Sequence, residues 1–344
     1  MHSNAEETGY ILCRPQGGLN DMLGEIEKCC QYADRTNRIV IVDTNYEGAE
    51  TFQDDLSQYF ESNNANLCLS LKGFEDSLSQ LSVFPNFLLG RINSYRAVRK
   101  LHTNFLVDQI TQEYISFDFN RNYSEKLLVH HSSGGATNSH LLFQRLRLKK
   151  NLKLEIQKRL NRIGGAYLAV HIRNTDYFSD CSKIIKLINC SPYKKVFIST
   201  DNQESLNDLK TILVNKSVFS FANVLSVDGK PIHLKKDLSR EEIFLRNLDS
   251  ILDLLLLALS EKLLLVLISG RKGHGSHPVF SGYFILAWNL RSKGDILEKF
   301  LAGIEIQVNK PSCIEKWLFV IKRYYLGASR RLMALKFKVN GNRP

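Results

Sequence analysis

Two kinds of apolar spacing alternate along this chain. Short unbroken runs rich in β-branched residues read as buried strands, and stretches with apolar residues three and four apart read as helices. Tyr10-Ile11-Leu12-Cys13 is a run of the first kind. Pro15-Gln16-Gly17-Gly18 then predicts a turn, followed by a helix over about 20–35 and a strand over 39–43. Between 50 and about 125 the pattern loosens into helical pieces with few clear strands, expected to form the outer part of the same domain. Leu127-Leu128-Val129-His130 predicts its last strand, leading into Ser132-Ser133-Gly134-Gly135-Ala136. A basic helical stretch over 141–163 follows, and beyond it the alternation is clean. Strands over 166–172, 196–199, 223–227 and 263–268 are predicted to alternate with helices near 182–189, 202–213, 240–260 and 281–291. A Gly-rich loop over 269–276 precedes the last helix.

Strand–helix alternation in both halves predicts an α/β fold with mainly parallel sheets. At 344 residues the chain is long enough for two domains, each with its own core. The boundary is expected inside 141–163. This gives a first domain over 1–150, a second over 151–305 and a tail over 306–344. No repeat of fixed period and no low-complexity segment appears. The most apolar stretch, 251–268, is broken by Ser260, Glu261 and Lys262, so it reads as a helix end followed by a strand and not as a membrane span.

Ligands of open α/β sheets bind beyond the carboxyl ends of the strands, so charged residues placed there are the first candidates for chemistry. Val170-His171-Ile172-Arg173-Asn174-Thr175-Asp176 closes one predicted strand. An arginine there is always charged, and its planar fork matches a pair of phosphate oxygens, which points to a diphosphate-bearing ligand. The plainer reading pairs Arg173 with Asp176 and leaves His171 as a satisfied core group. A single charged residue at a strand end favours that structural reading; three together favour the functional one. Ser199-Thr200-Asp201-Asn202 closes the next strand, where Asp201 either caps the following helix, the commoner role, or bonds a ribose or base.

In the first half, Arg14-Pro15-Gln16-Gly17-Gly18-Leu19-Asn20-Asp21 joins strand to helix. Its glycines permit positive φ and close approach of a ligand, and Asn20 or Asp21 can cap the helix; a plain tight turn is the alternative. The spacing lacks Gly-x-Gly-x-x-Gly, so a nicotinamide cofactor is not supported. The loop over 269–276, ending in Ser276, offers amides and hydroxyls suited to phosphate, with an ordinary surface loop as the equal alternative. His130 and His131 are adjacent on a strand and point to opposite faces without a matching carboxylate or cysteine spacing, so no metal site is expected.

Charge adds a separate element. The formal net charge is +11, and eight basic residues fall in 316–344 with no acidic residue after Glu315, leaving +3 on the rest. Trp317, Ile321, Tyr324, Tyr325, Ala328, Leu332 and Leu335 form an apolar stripe at helical spacing over 315–338. This is the composition of a helix lying on an anionic membrane surface. A terminal helix packed on the body with a solvated basic face is as good a reading. Nucleic acid is a weaker one, since no binding motif accompanies the charge. The seven cysteines include no Cys-x-x-Cys, and Cys29 and Cys30 fall within a predicted helix. A reducing compartment is the simplest account, and the first twenty residues lack a basic start followed by an apolar run.

Gly17-Gly18-Leu19-Asn20, then His171-Ile172-Arg173-Asn174-Thr175-Asp176, then Thr200-Asp201, with a weaker serine-containing element around 276–287, follow one another in a telling order. Over roughly residues 9–290 the chain resembles the fucosyltransferase-like glycosyltransferases: the bacterial nodulation-type α1,6-fucosyltransferases and, more loosely, the α1,2- and protein O-fucosyltransferases. The resemblance implies a GT-B fold, two Rossmann-like domains with mainly parallel sheets facing across a cleft. It also implies an acceptor-side first domain, a nucleotide-sugar-binding second domain, GDP-fucose as donor, and inversion with neither metal nor other cofactor. Arg173 matches the arginine that binds the donor diphosphate in His-x-Arg-Arg-x-Asp, and Asp176 is its candidate base or the residue that orients it. Gly17, Gly18, Asn20, His171, Thr175 and Ser276 fall in the implied donor-binding set, with Asp201 facing the nucleoside. The motif's second arginine is Asn174 here, which keeps another nucleotide sugar open. The implied acceptor is a glycan or lipid-linked oligosaccharide of a surface polysaccharide. The implied location is the cytoplasm, peripheral on the inner face of the plasma membrane through the tail. A non-catalytic basic protein binding membrane or nucleic acid is the contrasting hypothesis.

Overall fold

The computed structural model describes residues 8–100, 105–134, 138–223, 225–226, 235, 238–269, 278–324 and 326. The chain divides into two compact units. Unit 1 is Met1–Lys153 with Ser239–Phe244 and Glu298–Gly303, and unit 2 is Leu154–Leu238 with Leu245–Leu297 and Ile304–Pro344.

In unit 1, β1 (Gly9–Gln16), β2 (Arg38–Val42), β3 (Leu67–Cys68), β4 (Val83–Phe84) and β5 (Leu127–Ser133) form a parallel sheet in the order β3-β2-β1-β5-β4. The apolar runs that predict β1, β2 and β5 occupy the three central strands, where both faces are covered and a continuous run is what burial requires. The crossover α1 (Leu19–Thr36) buries Met22, Leu23, Ile26, Cys29, Cys30 and Ala33, and it ends at Asn37 in the left-handed conformation. Its N-cap is Gly18 without a side-chain bond. Asn20 and Asp21, expected as caps, lie inside the first turn instead. All seven cysteines are free. Burial pushes the thiols of Cys29 and Cys30 up, so both serve as small apolar groups.

The stretch 50–125 is more strand than helix, contrary to its loose pattern. Its described residues hold five strands of two or three residues, among them Phe60–Ser62, Ala97–Arg99 and Leu106–Asp108, beside one five-residue α-helix, Glu75–Ser79. Likewise the predicted helix over 141–163 is a 3-10 turn, Ser139–Gln144, then the strand Leu146–Leu148 antiparallel to Phe60–Ser62, and only then the helix α2 (Lys150–Ile163).

Unit 2 continues through β6 (Leu168–Ile172), α3 (Cys181–Asn189), β7 (Lys195–Thr200), α4 (Gln203–Ile212), β8 (Ser217–Phe219), α5 (Arg240–Leu259), β9 (Lys262–Leu263) and α6 (Gly282–Ser292). The parallel sheet runs β8-β7-β6-β9, and its core holds Leu168, Val170, Ile172, Val196, Ile198, Ile184, Leu206 and Leu209. The outer strand is β8, not the expected 223–227, where the described residues show a single bridge between Asn202 and Ser226. The expected strand over 263–268 splits: β9 pairs with β6, and Ile268–Ser269 turns antiparallel to Phe178–Ser179. No described helix is long and apolar enough to cross a membrane.

A last helix over 313–324 begins with a capping box: the Ser312 hydroxyl oxygen accepts from the Glu315 N–H at 3.2 Å, and Glu315 Oε2 accepts from the Ser312 N–H at 2.8 Å. It is pinned at Glu315 by Lys262, 2.9 Å away, and at Phe319 by Trp288, with ring centroids 4.6 Å apart.

Candidate functional site

β6 and β7 run in register, His171 beside Ser199 and Ile172 beside Thr200, so the residues that follow each strand emerge at one carboxyl edge. The loop after β6 is tied down there. Thr175 donates its hydroxyl to Asp201 Oδ2 at 2.6 Å, and the Asn174 N–H reaches Asp201 Oδ1 at 3.3 Å. The Asn174 side chain donates to Ser205 Oγ at 2.9 Å and accepts from the Ser179 N–H at 2.7 Å. The cap of α4 is Asn202, whose side chain accepts from the Ser205 N–H at 2.8 Å. Asp201, the expected cap, is instead the acceptor that closes the loop. Burial raises its carboxyl pKa above the ordinary value, against the opposing pull of Thr175 and Arg173.

Inside that frame Asp176 grips Arg173 through two parallel bonds, Nε to Oδ1 and Nη2 to Oδ2, both 2.6 Å. The guanidinium carbon lies 4.8 Å from the centre of the Tyr177 ring. The Arg173 side chain is 24% exposed and that of Asp176 only 7%, so the carboxylate sits behind the arginine. Burial works against the charge of Arg173, but the hydrogen bond and charge of Asp176 outweigh it, and its pKa stands above the ordinary value. Two of its five N–H groups are engaged with Asp176, while Nη1 makes no hydrogen bond among the described residues. A fixed, charged, partly open fork of this kind suits an oxyanion.

His171 adds an unusual neighbour. Its ring lies 4.9 Å from that of Tyr283, and neither nitrogen makes a hydrogen bond among the described residues. Burial first, and the Arg173 charge second, depress its pKa to about 3, with the Ser199 backbone opposing only in part. The imidazole is therefore neutral near pH 7 and presents one donor and one acceptor beside the arginine.

In unit 1 the corresponding edge is differently built. Of the two glycines between β1 and α1, Gly17 alone takes positive φ, +107°, and a Cβ there would press to 3.2 Å on Asp21 Cβ. Gly18 is exposed, with an ordinary φ of −67° and no atom within 4 Å of where a Cβ would sit, and its carbonyl accepts from the Asp21 and Met22 N–H groups at 2.9 and 3.0 Å. Asn20 is 7% exposed and accepts from the Ser139 hydroxyl at 2.6 Å, which fastens the 3-10 turn to α1. Beneath this turn lies a polar cluster that the sequence analysis missed. Arg14 donates to Asp43 at 2.8 Å and to the Ile92 carbonyl at 2.8 Å, between the rings of Tyr46 and Tyr95. His131 sits between the Tyr95 and Tyr46 hydroxyls at 3.0 and 2.9 Å. Strand register held the signal: Cys13 pairs with Val42 and Arg14 with His131, which brings Arg14, Asp43 and His131 together once the three strands align. His130 faces the other way, to Glu25 at 2.6 Å and Ser116 at 2.7 Å.

No protein-family model matches this sequence, and no curated protein does. Solved structures do. The crystal structure of fucosyltransferase NodZ from Bradyrhizobium matches with a TM-score of 0.52 at 15% identity, covering 82% of this chain and 92% of that one. NodZ α-1,6-fucosyltransferase co-crystallized with GDP, and the same enzyme soaked with GDP-fucose, match at TM-scores of 0.51 with 15% and 16% identity and the same coverage. The chain shares the fold of fucosyltransferase NodZ. The likeness to NodZ agrees with the α/β, GT-B-type architecture implied by the glycine and arginine motifs.

The structure thus brings His171, Arg173, Thr175, Asp176 and Asp201 to one strand edge in unit 2. Gly17, Gly18 and Asn20 belong to unit 1. Ser276 lies outside the described residues, as does most of the 269–276 loop.

Proposed function

We propose that this chain is an inverting, metal-independent glycosyltransferase that moves a sugar, fucose from GDP-fucose, to a glycan or lipid-linked oligosaccharide acceptor in surface polysaccharide synthesis, working in the cytoplasm. The observation that carries the reading is the Arg173–Asp176 fork at the carboxyl end of β6, in a fold shared with an enzyme crystallized with GDP. Breaking a sugar–phosphate bond develops negative charge on the departing diphosphate, and a preorganised guanidinium stabilises that charge as it forms. Asp176, with both oxygens turned to Arg173, is assigned to aim the arginine rather than to deprotonate the acceptor. Thr175 and Asp201 hold the loop that carries both, and neutral His171 offers a hydrogen bond to a donor oxygen. The exposed turn at Gly18 is assigned to approach an oxyanion in unit 1.

One observation favours a second donor. Asn174 stands where the resembled motif has another arginine, and its side chain is engaged with Ser205 and Ser179. A single guanidinium then faces the diphosphate, which suits a different nucleoside diphosphate sugar equally well. Thermal melting with GDP, UDP, CDP and GDP-fucose, without added metal, tests both. A ligand bound only by the folded state at a hundred times its Kd adds about 2.7 kcal/mol of stability. We expect GDP and GDP-fucose to raise the Tm, and Arg173→Ala to abolish that rise in a protein that still melts cooperatively. Preference for UDP or CDP replaces the donor. No response to any nucleotide ends the glycosyltransferase reading.

A further inference from the structure

The helix over 313–324 packs on unit 2 by one narrow side and leaves the opposite side apolar. Phe319 is 5% exposed, inserted among Trp288, Phe280 and Phe284, and Glu315 is paired with Lys262. Ile314, Trp317, Leu318, Val320, Ile321 and Tyr324 are instead 40–80% exposed. At about 100° per residue these six fall within an arc of about 160° whose centre lies opposite Phe319. Exposed Lys316 and Arg323 border the arc on one side and exposed Lys322 on the other. Lys183, at the start of α3, lies close enough to depress the pKa of Lys322, after burial, and so adds to the positive potential there. Single exposed apolar residues are ordinary; six contiguous ones on one helical face are not.

We infer that this face is a docking surface for an anionic lipid bilayer, on which the helix lies flat with its apolar arc in the headgroup–acyl boundary. Charge decides the occupant. From Lys316 onward the sequence carries eight basic residues and no acidic one, complementary to an acidic lipid surface. A second copy would bring two such segments together and repel. Nucleic acid would set the basic residues at the centre of the contact, whereas here aliphatic side chains occupy the centre and the cations flank it, in position to extend their stems along the surface and their charges to the headgroups. Trp317 and Tyr324 are the residue types that settle at a membrane–water interface. Of the expected apolar stripe, Trp317, Ile321 and Tyr324 lie on this face beside Ile314, Leu318 and Val320, while Tyr325, Ala328, Leu332 and Leu335 lie outside the described residues; Glu315 and Phe319 hold the helix to the body.

This inference rests on the surface alone and stands whether or not the chain transfers sugar. The test is flotation of the full chain with phosphatidylcholine vesicles, with and without phosphatidylserine. Binding is expected only with phosphatidylserine, and Ile321→Asp and the pair Lys316→Glu with Arg323→Glu are each expected to weaken it about tenfold or more. The chain has two tryptophans, and Trp288 is buried, so in a Trp288→Phe background the emission of Trp317 should shift to the blue on vesicle addition. Because the substituted face is exposed, melting temperature reports whether each variant is folded, and Ile321→Ser replaces any that is not. Equal flotation of the wild type and the folded Ile321→Asp variant overturns the inference, as does absence of vesicle binding. A dimer in sedimentation that Ile321→Asp dissociates would assign the face to a second copy. Binding to a DNA or RNA duplex that survives Ile321→Asp and is lost in the charge variant, without vesicle binding, would assign it to nucleic acid. Either result overturns the lipid assignment.

Discussion

Both sheets carry an arginine at the carboxyl end of a central strand, and the two arginines are partnered in opposite ways. Arg14 reaches a carboxylate 29 residues away on the next strand, a carbonyl from the loop near Ile92, and two tyrosine rings, and it is 6% exposed. Arg173 takes its carboxylate from three residues along its own loop and remains 24% exposed. A partner drawn from another strand encloses the cation on all sides, and the pair becomes part of the core. A partner from the same loop fixes the direction of the cation and leaves its outer edge to solvent. The histidines beside them repeat the contrast. His131 is bonded at both ring nitrogens, and His171 at neither among the described residues. The same residue types at the same kind of strand end are thus enclosed packing in unit 1 and partly open to solvent in unit 2.

The largest effects should separate the two arginines. Arg14→Ala strands Asp43 in the core and is expected to cost about 3–5 kcal/mol of stability by urea denaturation, as removal of one partner from a buried ion pair does. Arg173→Ala is expected to cost less, about 1–3 kcal/mol, since the arginine is partly solvated although Asp176 is left buried without it, while lowering transfer by about 10²–10³-fold. A folded Arg173→Ala protein with normal turnover would erase the distinction.

Acid titration comes next. The folded pKa of His171, about 3, lies below its ordinary 6.5. Between those values the unfolded chain binds a proton that the folded chain does not. The contribution is therefore complete above pH about 6.5 and is lost as pH falls toward 3, with a slope of up to about 1.4 kcal/mol per pH unit. His171→Asn should remove that slope from the difference between denaturation curves collected near pH 6 and near pH 4; an unchanged slope would mean that the imidazole is solvated.

Two smaller comparisons refine the picture. Thr175→Val deletes the 2.6 Å bond to Asp201 and is expected to cost about 1 kcal/mol, together with a loss of nucleotide affinity, because the loop carrying Arg173 loosens. A stability loss with unaltered affinity would detach that loop from binding. In unit 1, Gly17→Ala meets positive φ and should cost at least about 1 kcal/mol. Gly18→Ala, with an ordinary φ and no neighbour within 4 Å, should stay within about 0.5 kcal/mol and register in nucleotide binding alone. Identical affinity in Gly18→Ala would leave its backbone without a role.

Sequence was most informative where burial imposes a long period. The helices α1, α3, α4, α5 and α6 and the central strands β2, β6 and β7 lie within a residue or two of their expected spans, because each presents enough consecutive core positions to show its spacing, whereas β1 runs three residues past its expected end, through Pro15 and Gln16 of the expected turn. The strands of 50–125 and β8 are two or three residues long, too short for alternation to be seen, and their pairing is settled by neighbours distant in sequence. Caps were misplaced for a different reason. Asp201 and Asn202 are both good capping types, and the choice turned on which of them the β6 loop had already engaged through Thr175. The Arg173–Asp176 pairing was legible because it is local; the Arg14 cluster was not, because it exists only in register.

Unit 1 draws three of its aromatic contacts from two residues far along the chain. Phe244 stacks on Tyr59 at 5.3 Å, and Phe300 packs against Phe143 at 4.8 Å and Phe60 at 6.1 Å. During synthesis the ribosome completes Lys153 long before it reaches Phe300, a gap of roughly 7–30 s at about 5–20 residues per second. Through that interval Tyr59, Phe60 and Phe143 lack the rings of Phe244 and Phe300 that pack on them in the finished fold. The first half of this protein is made first and finished last.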